Sequence, residues 1–383
     1  MKVGIYAPAL RALGGGEKYI CELAIALSDD HDVEFVNFEP FNRAQLETRF
    51  GFDLGNVGAR VLRLPARFVK SLRPMSHLSL SRVSRAYDVF ITDEAHWWSF
   101  PAKAATNIAL LQIAPTQSER MRPTHVPFAK KVYDASLASY DVLLVNSQFV
   151  RRWVERVYAR EAVVLYPPCG APLTERPAKD KVILSVGRFF AGEGPNKKQL
   201  EMIKGFKRLY DSTPEAARWT YHLVGGVADD RAHLQYLDAC RAEAAGYPIV
   251  IHPNAPATIA EELYARASLF WHATGFDEEE DLHPDRIESF GIVTVEAMAT
   301  GCVPLVVNKG GQPEIVRNGV EGVLWDTLEE LLAATAALMA DGTLRAALSA
   351  ASIKRSKKFS TRRFKEQVAH LLNERRMFGP ALS

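Results

Sequence analysis

The sequence predicts an α/β protein made of two doubly wound, parallel-sheet (Rossmann-like) domains that face a central cleft. Three observations carry this expectation. At 383 residues the chain exceeds what one hydrophobic core ordinarily serves. Short, near-continuous apolar runs alternate with helix-period segments along most of its length. A proline-rich break at residues 166–172 divides those runs into two series.

The first series opens at residues 1–8. That apolar run is too short, and too soon stopped by Pro8, for a signal peptide, so it reads as a strand. Strand-like runs follow at 33–38, 89–92, 108–113 and 142–145. The second series comprises 182–186, 221–224, 249–252, 269–271 and 303–307. Runs without polar alternation fit strands buried on both faces, hence parallel sheets covered by helices. Between the series, Pro167 and Pro168 have no amide to give a ladder and favour extended backbone, the properties of a linker. Ser360 is placed to cap a last helix, in which Phe364, Val368, Leu371 and Leu372 make one apolar stripe. The predicted organisation is therefore a domain over 1–168, a second over 169–359, and a helix over 360–383 that crosses back to the first.

Composition excludes several classes of function. A net charge of +2 implies no general attraction to nucleic acid. Cys21, Cys169, Cys240 and Cys302 form no C-x-x-C pair, so neither a zinc site nor a disulfide framework is indicated, and a reducing, cytoplasmic setting fits. No run of eighteen apolar residues occurs. Between Leu54 and Tyr87 the charged residues are all basic: Arg60, Arg63, Arg67, Lys70, Arg73, Arg82 and Arg85. With Val61, Leu62 and Phe68 between them, they read either as a solvated helix face or as a peripheral contact with the inner face of a membrane. The five acids at 277–281 suggest a hard-cation site to the eye. Five like charges in a loop are better read as a solvated, self-repelling tip, and no metal is expected.

The chemistry concentrates at 288–296, where Glu288 and Glu296 flank Ser289, Phe290, Gly291, Ile292, Val293, Thr294 and Val295. Gly291 opens a helix, lets backbone approach a ligand closely, and leaves free amides for phosphate oxygens. Glu296, further along, can accept hydrogen bonds from the two hydroxyls of a ribose. Glu288, ahead of the helix, is placed for the hydroxyls of a sugar carried on the same diphosphate. Near the N-terminus, Gly15 and Gly16 also allow an anion to approach a helix start, and they are candidates for binding the donor. Their spacing lacks the G-x-G-x-x-G of a dinucleotide fold, which counts against an oxidoreductase.

At these residues the chain resembles glycosyltransferase family 4, whose members have the GT-B fold. Gly14-Gly15-Gly16-Glu17-Lys18 is similar to the family's first glycine loop, and Tyr166-Pro167-Pro168 to its interdomain linker. Ser185-Val186-Gly187-Arg188 with Lys197 looks like its Gly-Arg…Lys pair, and Gly310-Gly311-Gln312-Pro313-Glu314 like its closing loop. The resemblance implies a hexosyltransferase that retains anomeric configuration and needs no metal. Arg188 and Lys197 would stabilise the leaving diphosphate, with Glu288 beside the sugar and Phe290, Gly291, Ile292 and Glu296 around the nucleotide. A family 4 enzyme commonly carries a histidine at the end of an N-domain strand. The matching strand here offers Gln112 and Thr116, so His96, His125 or Gln112 would serve the acceptor side. Residues 99–103 and the region of Glu288 look most similar to mannosyltransferases of lipid-linked or surface glycans. GDP-mannose is thus the first donor expected and a UDP-hexose the second, with a glycan or lipid-linked acceptor. The alternative is a non-catalytic GT-B scaffold that binds nucleotide-sugar or glycan.

Overall fold

The structure, a computed structural model, describes residues 1–12, 14–63, 73–93, 100–116, 134–169, 177–192 and 194–373. The chain divides into two compact units, Met1–Pro168 with the segment from Thr361 onward, and Cys169–Ser360.

The first unit holds β1 (Lys2–Tyr6), α1 (Gly15–Ser28), β2 (Asp32–Asn37), α2 (Arg43–Phe50), β3 (Gly58–Val61), α3 (Arg73–Ser84), β4 (Val89–Thr92), β5 (Thr106–Leu111), β6 (Val142–Val145), α4 (Gln148–Tyr158) and β7 (Val163–Val164). Its parallel sheet runs β3-β2-β1-β4-β5-β6-β7, with Val3 level with both Val33 and Val89. Every residue of β4, β5 and β6 is buried, as expected for strands covered on both faces. The second unit holds β8 (Asp180–Val186), α5 (Gln199–Ser212), β9 (Thr220–Gly225), α6 (Arg231–Ala244), β10 (Ile249–Pro253), α7 (Ala257–Arg266), β11 (Ala267–His272), α8 (Ile292–Thr300), β12 (Val303–Val307), α9 (Gln312–Ile315), β13 (Val323–Trp325), α10 (Leu328–Ala340) and α11 (Gly342–Ser356). Its parallel sheet runs β10-β9-β8-β11-β12-β13.

The last helix, α12 (Thr361–Asn373), packs within the first unit. Its Phe364, Val368 and Leu371 join the core that contains Tyr19, Ile20 and Ile5. The Phe364 ring meets Tyr19 edge-on at 5.8 Å, and the Tyr19 hydroxyl donates to Leu165 O at 2.7 Å. Several helices start where short polar side chains satisfy orphan amides. Ser147 caps α4, Asp230 caps α6, and Thr327 caps α10 reciprocally with Glu330.

Three strands are not evident in the sequence: β3, β7 and β13. They have four, two and three residues, too few to show a period. Moreover, β3 is an edge strand with Ala59, Arg60 and Val61 exposed. Arg60 and Val61 therefore do not lie on a basic helix. The Arg60 guanidinium donates to Tyr87 Oη at 3.2 Å, and that hydroxyl in turn donates to Glu34 at 2.7 Å. Arg63, Arg82 and Arg85 are exposed, while Arg67, Lys70 and the Arg73 side chain lie outside the described residues. Among the described residues no single helix is long and apolar enough to cross a membrane.

Candidate active site

In the second unit the chain leaves β8 for β9 on one side and returns to β11 on the other, so the strand order reverses between β8 and β11. Ligands of doubly wound sheets bind outside the carboxyl ends of the strands at such a reversal. A small cavity lies there, lined by Ser185, Gly187, Lys197, Gln199, His272 and Thr274 among others.

Local backbone chemistry aims Lys197 into this place. The Asn196 side chain spans its loop: the amide nitrogen donates to Phe190 O, and Oδ1 accepts from the Lys198 amide at 2.6 Å. Lys198 takes a left-handed conformation, φ +54°, so consecutive lysines turn to different partners. The Lys197 ammonium donates to Glu288 Oε2 at 2.7 Å. The Lys198 ammonium instead donates to Glu278 Oε1 at 2.7 Å. A side chain at Gly187 would place Cβ 2.7 Å from Lys197 Cγ, so only glycine lets the lysine stem cross the end of β8.

Glu288 gathers a second donor from β11. His272 Nε2 lies 3.0 Å from Glu288 Oε2, within reach of Thr274 Oγ1 at 3.3 Å. Burial alone would raise the Glu288 carboxyl. The attraction of Lys197 and the hydrogen bond from His272 overcome it and hold the group well below the usual carboxylate range. Burial lowers the His272 imidazole below its ordinary value, against the pull of Glu288. Glu288 is thus an anion beside a neutral histidine and a lysine. Its main chain is fixed too, since Gly311 N donates to Glu288 O at 2.9 Å.

The rest of the 288–296 segment divides by role. Gly291 is the N-cap of α8 with φ +109°, a conformation that glycine adopts without strain. The Phe290 side chain is only 2% exposed and its ring packs edge-on against Phe359 at 5.4 Å, so Phe290 anchors the turn and offers a ligand its backbone only. Gly291 and Ile292 begin the helix whose first amides have no helical acceptor. Glu296 is half-buried further along α8, where Tyr264 Oη donates to its Oε2 at 3.4 Å.

Arg188 follows β8, is exposed, and its guanidinium forms no ion pair or hydrogen bond among the described residues. The Gln199 side-chain amide steadies the turn beneath it, donating to Gly187 O at 3.1 Å and to Arg188 O at 3.0 Å. Arg188, Lys197, Glu288, Phe290, Gly291, Ile292 and Glu296 therefore belong to one unit, around one strand reversal and one helix start.

Gly15 and Gly16 belong to the first unit, at the start of α1. One amide there already has an anion: Gly14 N donates to Glu17 Oε2 at 2.7 Å. Gln112, at the end of β5, donates to Asp93 Oδ1 at 2.7 Å and to Gly16 O at 3.3 Å. The Asn146 side chain donates to Gln112 O at 2.9 Å. His96 and His125 lie outside the described residues.

One expectation is corrected. The acidic run at 277–281 is not a uniformly solvated tip, because the Glu278 side chain is 17% exposed and paired with Lys198 and, at 3.5 Å, with Arg286. The backbone turns Glu278 inward, and its carboxyl is held low by Lys198 against the opposing effect of burial. Among the described residues no group of three metal-ligating side chains gathers. His272, Asn196 and Tyr264 escaped the sequence reading. The only trace of His272 was a polar residue at the end of an apolar run, and its partner stands sixteen positions on.

Two doubly wound, parallel-sheet units in one chain are the arrangement of the GT-B fold. Its resemblance to solved structures agrees: Anabaena HepE in complex with UDP and glucose is 18% identical, with 97% of this chain and 99% of that one covered and a TM-score of 0.70. Residues 173–355 match the family described as Glycosyl transferases group 1. Among curated proteins, the D-inositol 3-phosphate glycosyltransferase of Thermobispora bispora is 28% identical over 203 residues, 52% of this chain and 44% of that protein. The alpha-1,3/1,6-mannosyltransferase ALG2 of Rhizomucor pusillus is 25% identical over 228 residues, 51% of this chain and 48% of that protein. The chain thus aligns with less than half the length of each of these relatives.

Proposed function

We propose that the protein is a retaining, metal-independent glycosyltransferase that moves a hexose from a nucleotide-sugar to a glycan or lipid-linked acceptor. One observation carries this reading: Lys197, Glu288 and the start of α8 converge at the strand reversal, and the exposed Arg188 follows the same strand. Cleavage of a sugar–diphosphate bond leaves negative charge on phosphate, and two cations with a helix start are the groups that stabilise it without a metal. Glu296 takes the ribose hydroxyls and Glu288 those of the sugar. In a retaining reaction without a protein nucleophile, the acceptor attacks from the face the diphosphate leaves, and a leaving-group oxygen accepts its proton. Gly15, Gly16 and Gln112 are assigned to the first unit's side of the reaction. GDP-mannose is the first donor on this reading, supported by the mannosyltransferase named among the relatives, and a UDP-hexose the second. The exposed Arg63, Arg82 and Arg85 are the part of the basic stretch available for peripheral contact with an anionic membrane.

The test is to incubate the protein with GDP-mannose and UDP-hexoses and follow release of nucleoside diphosphate. Screening the same nucleotides for a rise in melting temperature accompanies it. Release reduced about a hundredfold by Arg188→Ala supports the reading. Binding without release from any donor, with glycan acceptors supplied, would establish a scaffold instead.

A further inference from the structure

His272 lies at the C-terminal end of β11 and is 4% exposed. Its Nδ1 is buried without a partner, while Nε2 faces Glu288 Oε2. A proton on Nδ1 would be buried with nothing to accept it, and the Nε2 lone pair would then oppose a carboxylate oxygen. With the proton on Nε2 the ring donates to the carboxylate, and Nδ1 is left only as an unpaired acceptor. The neutral ring that burial favours is therefore a donor to Glu288.

The geometry of Glu288 gives that donor a purpose. Lys197 and His272 both converge on Oε2, and Oε1 takes no hydrogen bond among the described residues. The two donors differ in freedom. Lys197 is 23% exposed on a long stem, whereas the His272 side chain is 3% exposed and fixed in the sheet. A diphosphate arriving at the strand reversal competes with Glu288 for the Lys197 ammonium. Once that ammonium turns to phosphate, a carboxylate held by lysine alone would swing about its own rotors.

We propose that His272 is the positioning residue of the donor-sugar subsite: its Nε2–H keeps Glu288 Oε2 in place, so that Oε1 meets a hydroxyl of the transferred sugar. This rests on the glycosyltransferase reading and adds to it a group that senses the sugar and not the nucleotide. Loss of His272 should then separate two affinities that a purely structural defect would move together.

The experiment is calorimetry on wild-type protein, His272→Ala and His272→Gln. The ligands are GDP and UDP on one side, and GDP-mannose, UDP-glucose and UDP-galactose on the other. For the donor that wild-type protein binds, His272→Ala should weaken the nucleotide-sugar about tenfold, the worth of one hydrogen bond to a charged group. It should leave the matching nucleoside diphosphate within about twofold, since that ligand lacks the sugar. His272→Gln, whose side-chain amide replaces the Nε2 donor, should recover most of the loss. Where the alanine variant does not fold, His272→Leu fills the same space without a donor and makes the same comparison. Equal weakening of both ligands, or no change in either, overturns the positioning role while leaving the glycosyltransferase reading intact. Failure of wild-type protein to bind any of these nucleotides removes that reading, and the role of His272 with it.

Discussion

Lys197 and Glu288, 91 positions apart in sequence, meet at 2.7 Å at the strand reversal of the second unit. The contact joins the loop after β8 to the segment that opens α8, and both residues are sheltered without being sealed, at 23% and 16% exposure. Partial burial strengthens the pair beyond a surface ion pair, and the remaining access lets an anionic ligand compete for the lysine.

The first prediction concerns pH. Glu288 is held below its ordinary value of 4.5 and His272 below 6.5. When a folded pKa is depressed, the unfolded chain takes up the proton first as the pH falls. The stabilisation is complete above the unfolded value and is lost on descent toward the folded one. The His272 contribution should therefore decline below pH 6.5 and that of Glu288 below 4.5. Urea denaturation of wild-type protein and Glu288→Gln should give midpoints that approach each other as the pH drops below 4.5. A gap that widens on acidification contradicts the assignment.

Arg188→Ala should separate activity from stability. The guanidinium is exposed and has no partner among the described residues, so its removal should move the melting temperature very little. Nucleoside diphosphate release should fall about a hundredfold, the scale of losing one preorganised donor to a developing anion. A variant of full activity removes Arg188 from the site.

Glu296→Ala should weaken nucleotide binding by about 2 kcal/mol through loss of charge-assisted hydrogen bonds to ribose. The control is a nucleotide without the ribose 2′ and 3′ hydroxyls. Wild-type protein should bind it more weakly than the parent nucleotide, and Glu296→Ala should hardly distinguish the two. Calorimetry reads both, and an undiminished preference in the variant would falsify the ribose contact.

Gly291→Ala tests the turn itself. Its φ of +109° disfavours any side chain, and a Cβ would sit 2.3 Å from the side-chain nitrogen of buried Gln312. The expected cost is about 2–3 kcal/mol in unfolding free energy. A melting temperature equal to wild type would mean that the backbone there relaxes freely.

The fold was largely legible because parallel strands buried on both faces leave unbroken apolar runs. The runs at 89–92, 142–145 and 303–307 coincide with strands β4, β6 and β12. The edge strands β3 and β13 were not, since an edge is short and its residues answer to solvent as much as to a core. In the site, the glutamates and Gly291 were readable because a helix start and a fixed spacing are local. Lys197 was named from its place after Arg188, but its pairing with Glu288, and that of Lys198 with Glu278, depend on the left-handed turn at Lys198.

By itself the sequence determined the class of fold, the helix that Gly291 opens and the two acids on either side of it. Each of these follows from the conformational preference of neighbouring residues or from the period of apolar ones. Tertiary structure alone decided that His272 stands behind Glu288, that Phe290 faces the core and that Glu278 turns inward. Those outcomes depend on which strands lie side by side, and a contact made across strand order leaves no spacing in the chain to read.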